Sequence, residues 1–431
     1  MTVAYERKQL AEGIFSTTVV DKKFKSNQIR VRFLTPLSPE TAAEQALAVG
    51  MLSMCCKKYP TLAALSARRA ELYGTGIGSD ITRSGDLQVL SLSVSAIDSR
   101  YALEGEDVNA LALELLLGCL FEPNAENGAF EESMFRIRKK DLLDTILAEI
   151  NNKRGYAISQ ARKLMFEGES AAYAAYGELK EAEMVTAESA YRAYCRLLEE
   201  AQIELYFIGG SAQPEAEAKL LDAFSKIRRA PRSVEFLTPS PCKAEVRCAE
   251  EQLDVEQSKL VLALKYDYTN PLMMRLMNTV LGGGSTVSKL FVNVREKMSL
   301  CYYCASSLAP TKRTLLIDSG IALEKREIAQ QAILDQIRAI CDGDFSEEDI
   351  DNAARTISDD IGAVGDTPSS WVGWYFDRLT MNEFITPQEM LDRLSAALAP
   401  ENRAETRAEI IKAAKSLKLD TVYLMQQREE A

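Results

Sequence analysis

The stretch Phe130-Glu-Glu-Ser-Met134, followed by Leu142 and Ile146, returns 215 residues later as Phe345-Ser-Glu-Glu-Asp349, followed by Ile357 and Ile361. At that constant offset Phe130 falls on Phe345, Glu132 on Glu347, Leu142 on Ile357 and Ile146 on Ile361. Self-similarity at a fixed spacing marks a duplicated unit. The flanking segments repeat in the same order. In the first half, residues 28–34 (Gln-Ile-Arg-Val-Arg-Phe-Leu) alternate apolar and polar side chains as a half-buried strand does. A helix is expected over 40–57, a strand over 87–96, helices over 108–120 and 131–156, and a closing strand over 202–209. In the second half, 258–266 reads as a strand and Asn270-Pro271 opens a helix to about Leu281, with proline at the favoured first position. Residues 315–323 are strand-like, 326–341 helical, and 419–424 close the half as a strand.

Between 226 and 250 the pattern breaks. Pro231, Pro239 and Pro241, interspersed with Arg228, Arg229 and Arg232, cannot hold a regular helix. The expected organisation is therefore two α+β domains, 1–225 and 251–431, joined by a linker over 226–250. Each is expected to be an antiparallel sheet with helices packed on one face.

Composition limits the chemistry. The chain has 431 residues, too many for one core, so two units are consistent with its length. With 51 Lys and Arg against 63 Asp and Glu the net charge is −12, which argues against nucleic acid or an anionic membrane as partner. There is no histidine. That removes Ser-His-Asp triads and imidazole-ligated zinc. Nine cysteines, an odd number, follow an opening stretch with no apolar core of signal-peptide length, so reduced thiols in a cytoplasm are expected. The apolar run 111–121 contains Glu114 and reads as a buried helix, not a membrane span.

The least ordinary stretch is 280–303. Gly282, Gly283 and Gly284 follow a helix; the ordinary reading is a helix C-cap and a flexible turn. Ser285 or Thr286 can cap a further helix from Val287 to about Lys297. A phosphate loop is excluded because no Gly-Lys-Ser/Thr ending follows. Arg295 and Tyr302 flank a short turn into a strand. Cys301 and Cys304 form a lone Cys-x-x-Cys, short of two ligands for zinc; on a regular strand they face opposite sides and read as two thiols without function. Cys55 and Cys56 diverge by about 100° on a helix and are poorly placed to share a metal. Ser240-Pro-Cys-Lys243 has Ser-x-x-Lys spacing, but in a proline-rich linker with no helix to present a dyad. The acidic residues Glu347, Glu348, Asp349 and Asp351 suit a solvated first helical turn.

Taken together, Leu290-Phe291, Arg295-Glu296-Lys297, Leu300 and Tyr302 resemble the insulinase/pitrilysin family of zinc peptidases, whose second half carries Leu-Phe-x-x-x-Arg-Glu-Lys-x-x-Leu-x-Tyr. The resemblance implies a clam-shell of two duplicated domains. It places Arg295 and Tyr302 on the substrate backbone and makes Gly282, Gly283 and Gly284 a flexible loop beside it. Active members carry His-x-x-Glu-His on the first helix; here the aligned positions are Ala46, Val49 and Gly50. Leu72-Tyr73-Gly74 and Asn151-Asn-Lys-Arg-Gly-Tyr-Ala157 resemble a non-catalytic bacterial (YfmF-like) branch, encoded beside an active homologue. The resemblance thus implies an inactive peptidase homologue that needs no metal or cofactor of its own. It would serve as the substrate-orienting subunit of a two-chain peptidase, with a His-bearing homologue as partner and an extended peptide as substrate. The rival implication is a non-enzymatic scaffold or peptide-binding protein, possibly a homodimer, as in respiratory-complex core subunits of this fold.

Overall fold

A computed structural model describes residues 4–427. The first half runs β1 (Ala4–Ala11), β2 (Ile14–Val20), β3 (Ser26–Pro36), α1 (Pro39–Leu52), α2 (Leu62–Glu71), β4 (Gly76–Ser84), β5 (Leu87–Ile97) and α3 (Val108–Phe121). A small hairpin follows, β6 (Ala125–Glu126) and β7 (Ala129–Phe130), then α4 (Glu132–Ala148), α5 (Lys153–Met165), α6 (Leu179–Met184), α7 (Ala187–Glu200), β8 (Gln202–Gly209) and α8 (Pro214–Ser225). The second half has β9 (Arg247–Leu253), β10 (Ser258–Lys265), α9 (Pro271–Leu281), a π-helical segment (Leu290–Lys297), β11 (Cys301–Ala309) and β12 (Thr314–Ile321). It ends with α10 (Arg326–Cys341), α11 (Glu347–Gly362), α12 (Pro368–Thr380), α13 (Pro387–Ala397), α14 (Arg403–Lys415) and β13 (Lys418–Gln427). Among the described residues no helix is long and apolar enough to cross a membrane.

The duplication extends to topology. One sheet reads β4-β5-β3-β8-β2-β1 and the other β11-β12-β10-β13-β9. The second repeats the first strand for strand, lacking only an equivalent of β1. Both sheets are antiparallel except for one pair, β2 with β8 and β9 with β13, which run parallel. The purely antiparallel expectation is corrected there: β2 in the first half and β9 in the second lie beside the last strand of their half, and the long connection between the paired strands makes the parallel pairing possible.

Two expected helices are shorter than read. The helix over 40–57 stops at Leu52, after which Cys56 bridges to Pro123 and Thr61 caps α2 by accepting the Ala64 N–H at 3.1 Å. The helix over 131–156 breaks at Ala148. A 3-10 turn, Glu149–Asn151, precedes Asn152, whose Oδ1 accepts the Gly155 N–H at 3.0 Å and starts α5 afresh. An asparagine that bonds its own downstream backbone competes with helix continuation.

This break changes the division of the chain. The first compact unit gathers the described residues up to 147 with 173–236 and 365–380; the second gathers 148–172, 237–364 and 381 onward. Contiguous domains 1–225 and 251–431 with a linker over 226–250 do not describe these units, because each half contributes one helix to the other's sheet. The 215-residue offset carries Lys153 onto Pro368 and Met165 onto Thr380, so α5 and α12 are the equivalent helices.

In the second unit, Ala157 and Ala161 of α5 pack on Val261, Tyr423 and Met425. These alternate along β10 and β13 with the residues facing the other helices, so this sheet is covered on both faces. In the first unit α12 lies on the Arg32 face of β3. The Arg32 guanidinium is 4.3 Å from the Phe376 ring centroid and 5.4 Å from that of Tyr206, and Tyr375 stacks on Tyr5 at 4.0 Å.

A buried ionic group fastens α5 and the proline-rich segment to the second sheet. Asp420, on β13, pairs with Lys265 Nζ at 3.1 Å and Arg247 Nη2 at 2.8 Å. Lys265 also donates to the carbonyls of Pro241 (2.8 Å) and Met165 (3.3 Å), and Arg247 to that of Met165 (2.7 Å).

Candidate functional site

The glycine stretch begins as a helix end. The N–H groups of Gly282 and Gly283 both donate to the Asn278 carbonyl at 2.8 Å, and the Gly282 carbonyl accepts the Ser306 N–H of β11 at 3.0 Å. A Cβ on Gly282 would come within 2.6 Å of Leu290 Cδ1 and 2.9 Å of Ser306 Oγ; one on Gly283 would reach 2.4 Å from Asn278 Nδ2. Close approach therefore dictates glycine at both positions. Gly284 has nothing near it but takes φ +82°, which glycine alone adopts without strain. The flexible loop implied by the resemblance is thus, at Gly282 and Gly283, a packed corner fastened to β11.

The following helix starts at Leu290 and not at Val287. Ser285 Oγ accepts the Val287 N–H at 3.3 Å in a local turn that delays it. The segment is π-helical, a form often found at functional sites, and Leu290 and Val294 anchor it in the core. Arg295 rests its guanidinium 4.5 Å from the Phe291 ring centroid and donates from Nε to the Tyr302 carbonyl at 3.0 Å. Along β11, Cys301 pairs with Ile321 and Tyr303 with Gly320, so Tyr302 is the extra residue of a β-bulge. Tyr302 as a whole is 73% exposed. Arg295 and Tyr302, read as flanking a short turn, are therefore in contact, and they meet through the tyrosine main chain. β11 is the edge of its sheet, with β12 on one side and the Gly282 carbonyl on the other at Ser306.

The bulge also overturns the reading of Cys301 and Cys304 as facing opposite sides. One extra residue restores them to the same side, opposite Ile321 and Ser319, where each thiol shifts the other's acidity.

At the expected zinc helix, Ala46, Val49 and Gly50 are buried in α1 and bring no metal donor. Arg138 of α4 lies against Gly50: a Cβ there would sit 2.1 Å from Arg138 Nε. Burial pulls the Arg138 guanidinium below its ordinary value, with Asp141 opposing, and its Nε has no hydrogen-bond partner. Among the described residues no three His, Cys, Asp or Glu side chains gather to hold a metal ion. A zinc ion does not fit residues that offer a guanidinium and no ligand.

Other motifs resolve into structure. In Asn151–Ala157, Arg154 Nη2 donates to Asp318 at 3.0 Å and lies over the Tyr303 ring at 4.4 Å, while Tyr156 donates to Glu251 at 3.2 Å; the motif docks α5 on the second sheet. Ser240 donates to Glu169 and Lys243 uses its backbone N–H toward Asp420, so no Ser–Lys dyad forms. Ser346 and Asp349 make a capping box, and Glu347 pairs with Arg403 and Arg407 at 3.0 and 3.2 Å. A cleft of about 860 Å³ between α3, α7 and α8 includes none of the expected site residues. Nothing in the sequence pattern announced Arg138 or the bulge; a lone arginine in an amphipathic helix carries no such signal.

Over residues 184–357, a span that includes Gly282, Gly283, Gly284, Arg295 and Tyr302, the chain matches the family profile described as "Peptidase M16 inactive domain". It is 27% identical, over 437 aligned positions covering 100% of both chains, to a Bacillus subtilis (strain 168) protein named "Probable inactive metalloprotease YmfF". Among solved structures, a conserved protein from Enterococcus faecalis V583 matches at TM-score 0.88 with 25% identity over 99% of each chain. The peptidase M16 inactive domain from Pseudomonas fluorescens matches at 0.78 with 19% identity over 99% of each, a likeness of fold.

Proposed function

We propose that this chain, a homologue of the inactive M16 peptidases of the insulinase/pitrilysin type, is the non-catalytic, substrate-orienting subunit of a two-chain peptidase. The sequence has no histidine, and among the described residues no three Cys, Asp or Glu side chains gather to hold a metal ion. The observation that carries the reading is the contrast between its halves. At α1 the aligned positions hold Ala46, Val49 and Gly50, packed against the Arg138 guanidinium, whereas in the second half Arg295 of the π-helical segment is bonded to Tyr302 of the edge strand β11.

An extended peptide would lie along the outer side of β11, where sheet edges offer main-chain hydrogen bonds. Arg295 Nε is held by the Tyr302 carbonyl and Nη1 lies 3.9 Å from Glu296, so Nη2 would meet a peptide carbonyl or the charge that develops on it. The exposed phenol supplies a second donor. Metal and general base would come from a His-bearing homologue.

The test mixes the purified chain with a homologue bearing His-x-x-Glu-His and measures both co-purification and peptide hydrolysis. The expected result is a stable complex more active than the homologue alone, with the gain lost in Arg295→Ala. A complex with no gain in hydrolysis, or association only with a second copy of this chain, would favour the scaffold reading instead.

A further inference from the structure

Beside the Arg295–Tyr302 pair stands a second chemical group that the proposed function leaves unused. Three residues apart on a regular strand, Cys301 and Cys304 would lie about 10 Å from each other and point to opposite faces. The Tyr302 bulge removes one residue from that span. Cys301 stands opposite Ile321 and Cys304 opposite Ser319, two partner residues apart and on one face. Two strand residues span about 6.6–6.8 Å, at the upper end of the roughly 4.4–6.8 Å between Cα atoms that a disulfide bridges. Each thiol shifts the other's acidity, and both lie beside Ser319, whose hydroxyl donates to the Tyr303 carbonyl at 2.9 Å.

We propose that Cys301 and Cys304 are a thiol modification site that accepts low-molecular-weight disulfides and closes into an intramolecular disulfide across the Tyr302 bulge. The two sulfurs are differentiated for these roles. Cys301 is half-buried and reachable, while Cys304 is 5% exposed. The Cys304 thiol is the largest influence on Cys301; with Ser319 and the Arg295 charge it outweighs burial and brings that thiol down to about 7. Cys304, beside Cys301 and buried near Asp318, is pushed up. An accessible thiolate next to a second thiol is the arrangement that exchanges with disulfides.

The Cys301 thiolate attacks one sulfur of a disulfide RSSR, forming a mixed disulfide and breaking the reagent's S–S bond, so that one RS⁻ leaves. Cys304, on losing its proton, attacks the Cys301 sulfur and expels the second RS⁻. The two thiol protons end on two RSH molecules. The protein dithiol is oxidised and RSSR reduced. Cys56 and Cys119 also influence each other, but they are 1% and 0% exposed, against a half-buried Cys301. This site stands or falls independently of the peptidase partnership.

The test incubates the full chain with excess glutathione disulfide at neutral pH, blocks free thiols by alkylation and maps tryptic peptides. Both cysteines fall in the single peptide 298–312, between cleavages after Lys297 and Lys312. The expected product is that peptide lighter by two hydrogens and unalkylated, restored by dithiothreitol. Cys304→Ser should stop at the glutathione adduct on Cys301, and Cys301→Ser should leave Cys304 unmodified, each with an unchanged circular dichroism spectrum. Full alkylation of both thiols after exposure, a stable glutathione adduct in the unsubstituted chain, or a link confined to Cys56 and Cys119 would overturn the proposal.

Discussion

Arg295 and Tyr302 meet through the main chain: the arginine Nε–H donates to the tyrosine carbonyl oxygen at 3.0 Å, while Tyr302 as a whole stands 73% exposed to solvent. The arrangement fixes the guanidinium through Nε, with only a long 3.9 Å ion pair from Nη1 to Glu296, and leaves the tyrosine side chain exposed. It separates what each substitution should do. Arg295→Ala removes a tether and a charge, whereas Tyr302→Phe removes only an exposed hydroxyl. In the mixed assay with a His-bearing homologue, Arg295→Ala should reduce the partner-dependent rate by about 10²–10³, the scale for loss of a transition-state donor. Tyr302→Phe should cost less, and neither should lower the urea midpoint measurably.

Gly50→Ala tests the packing of Arg138 against α1. The added methyl would sit 2.1 Å from Nε, so the arginine must leave its place. A cost of about 1–3 kcal/mol is expected, as for other overpacked sites. Adding Arg138→Met should recover most of it in urea unfolding. Histidines introduced at Ala46 and Gly50 with Arg138 retained should take up no stoichiometric zinc by metal analysis.

The glycine corner separates two kinds of constraint. Gly282→Ala brings a methyl into Leu290 and Ser306 and should destabilise the β11 edge, detected as faster amide exchange at Ser306. Gly284→Ala meets no atom and pays only for its positive φ, about 1 kcal/mol. Ranking the two by unfolding midpoint checks this: Gly282→Ala is expected to be the more damaging.

Burial alone would raise Asp420, but hydrogen bonds from Arg247, Thr421 and Lys265 outweigh it and hold the carboxyl below its ordinary 3.8. A carboxyl depressed in the folded state stabilises the fold fully above its unfolded value and loses that contribution as pH falls through the folded one. The unfolding free energy should therefore decline below about pH 4 in part through this group. Asp420→Asn should flatten that decline while lowering stability at pH 7 by about 3–5 kcal/mol, because buried Lys265 loses its counter-charge.

Strands β3, β5, β8, β10, β12 and β13 and helices α1, α3, α9 and α10 were legible because their apolar residues repeat at strand or helix period, as in 28–34, 87–96 and 326–341. Strands β1, β2, β4 and β9 and helices α2, α8, α12, α13 and α14 were not. Arg247-Cys-Ala-Glu-Glu-Gln-Leu253 and Ala4-Tyr-Glu-Arg-Lys-Gln-Leu-Ala11 are charged edge strands, and β4 (Gly-Ile-Gly-Ser-Asp-Ile-Thr-Arg-Ser) is polar for the same reason. Arg295, Tyr302 and the glycines could be named from their spacing, but their contacts could not, since the bulge that sets them depends on pairing with β12. Arg138 against Gly50 is a meeting of two helices about ninety residues apart, and no local pattern encodes it.

The exchange of α5 and α12 bears on the order in which the chain can be built. The first unit draws on residues up to 380, so it cannot be completed when the first half leaves the ribosome, and its Arg32 face waits for a helix made long afterwards. Vectorial synthesis usually lets an N-terminal domain finish first. Here the first unit is complete only once residue 380 has been made, after most of the second, and a ribosome stalled at residue 250 should carry a nascent first unit open to proteolysis.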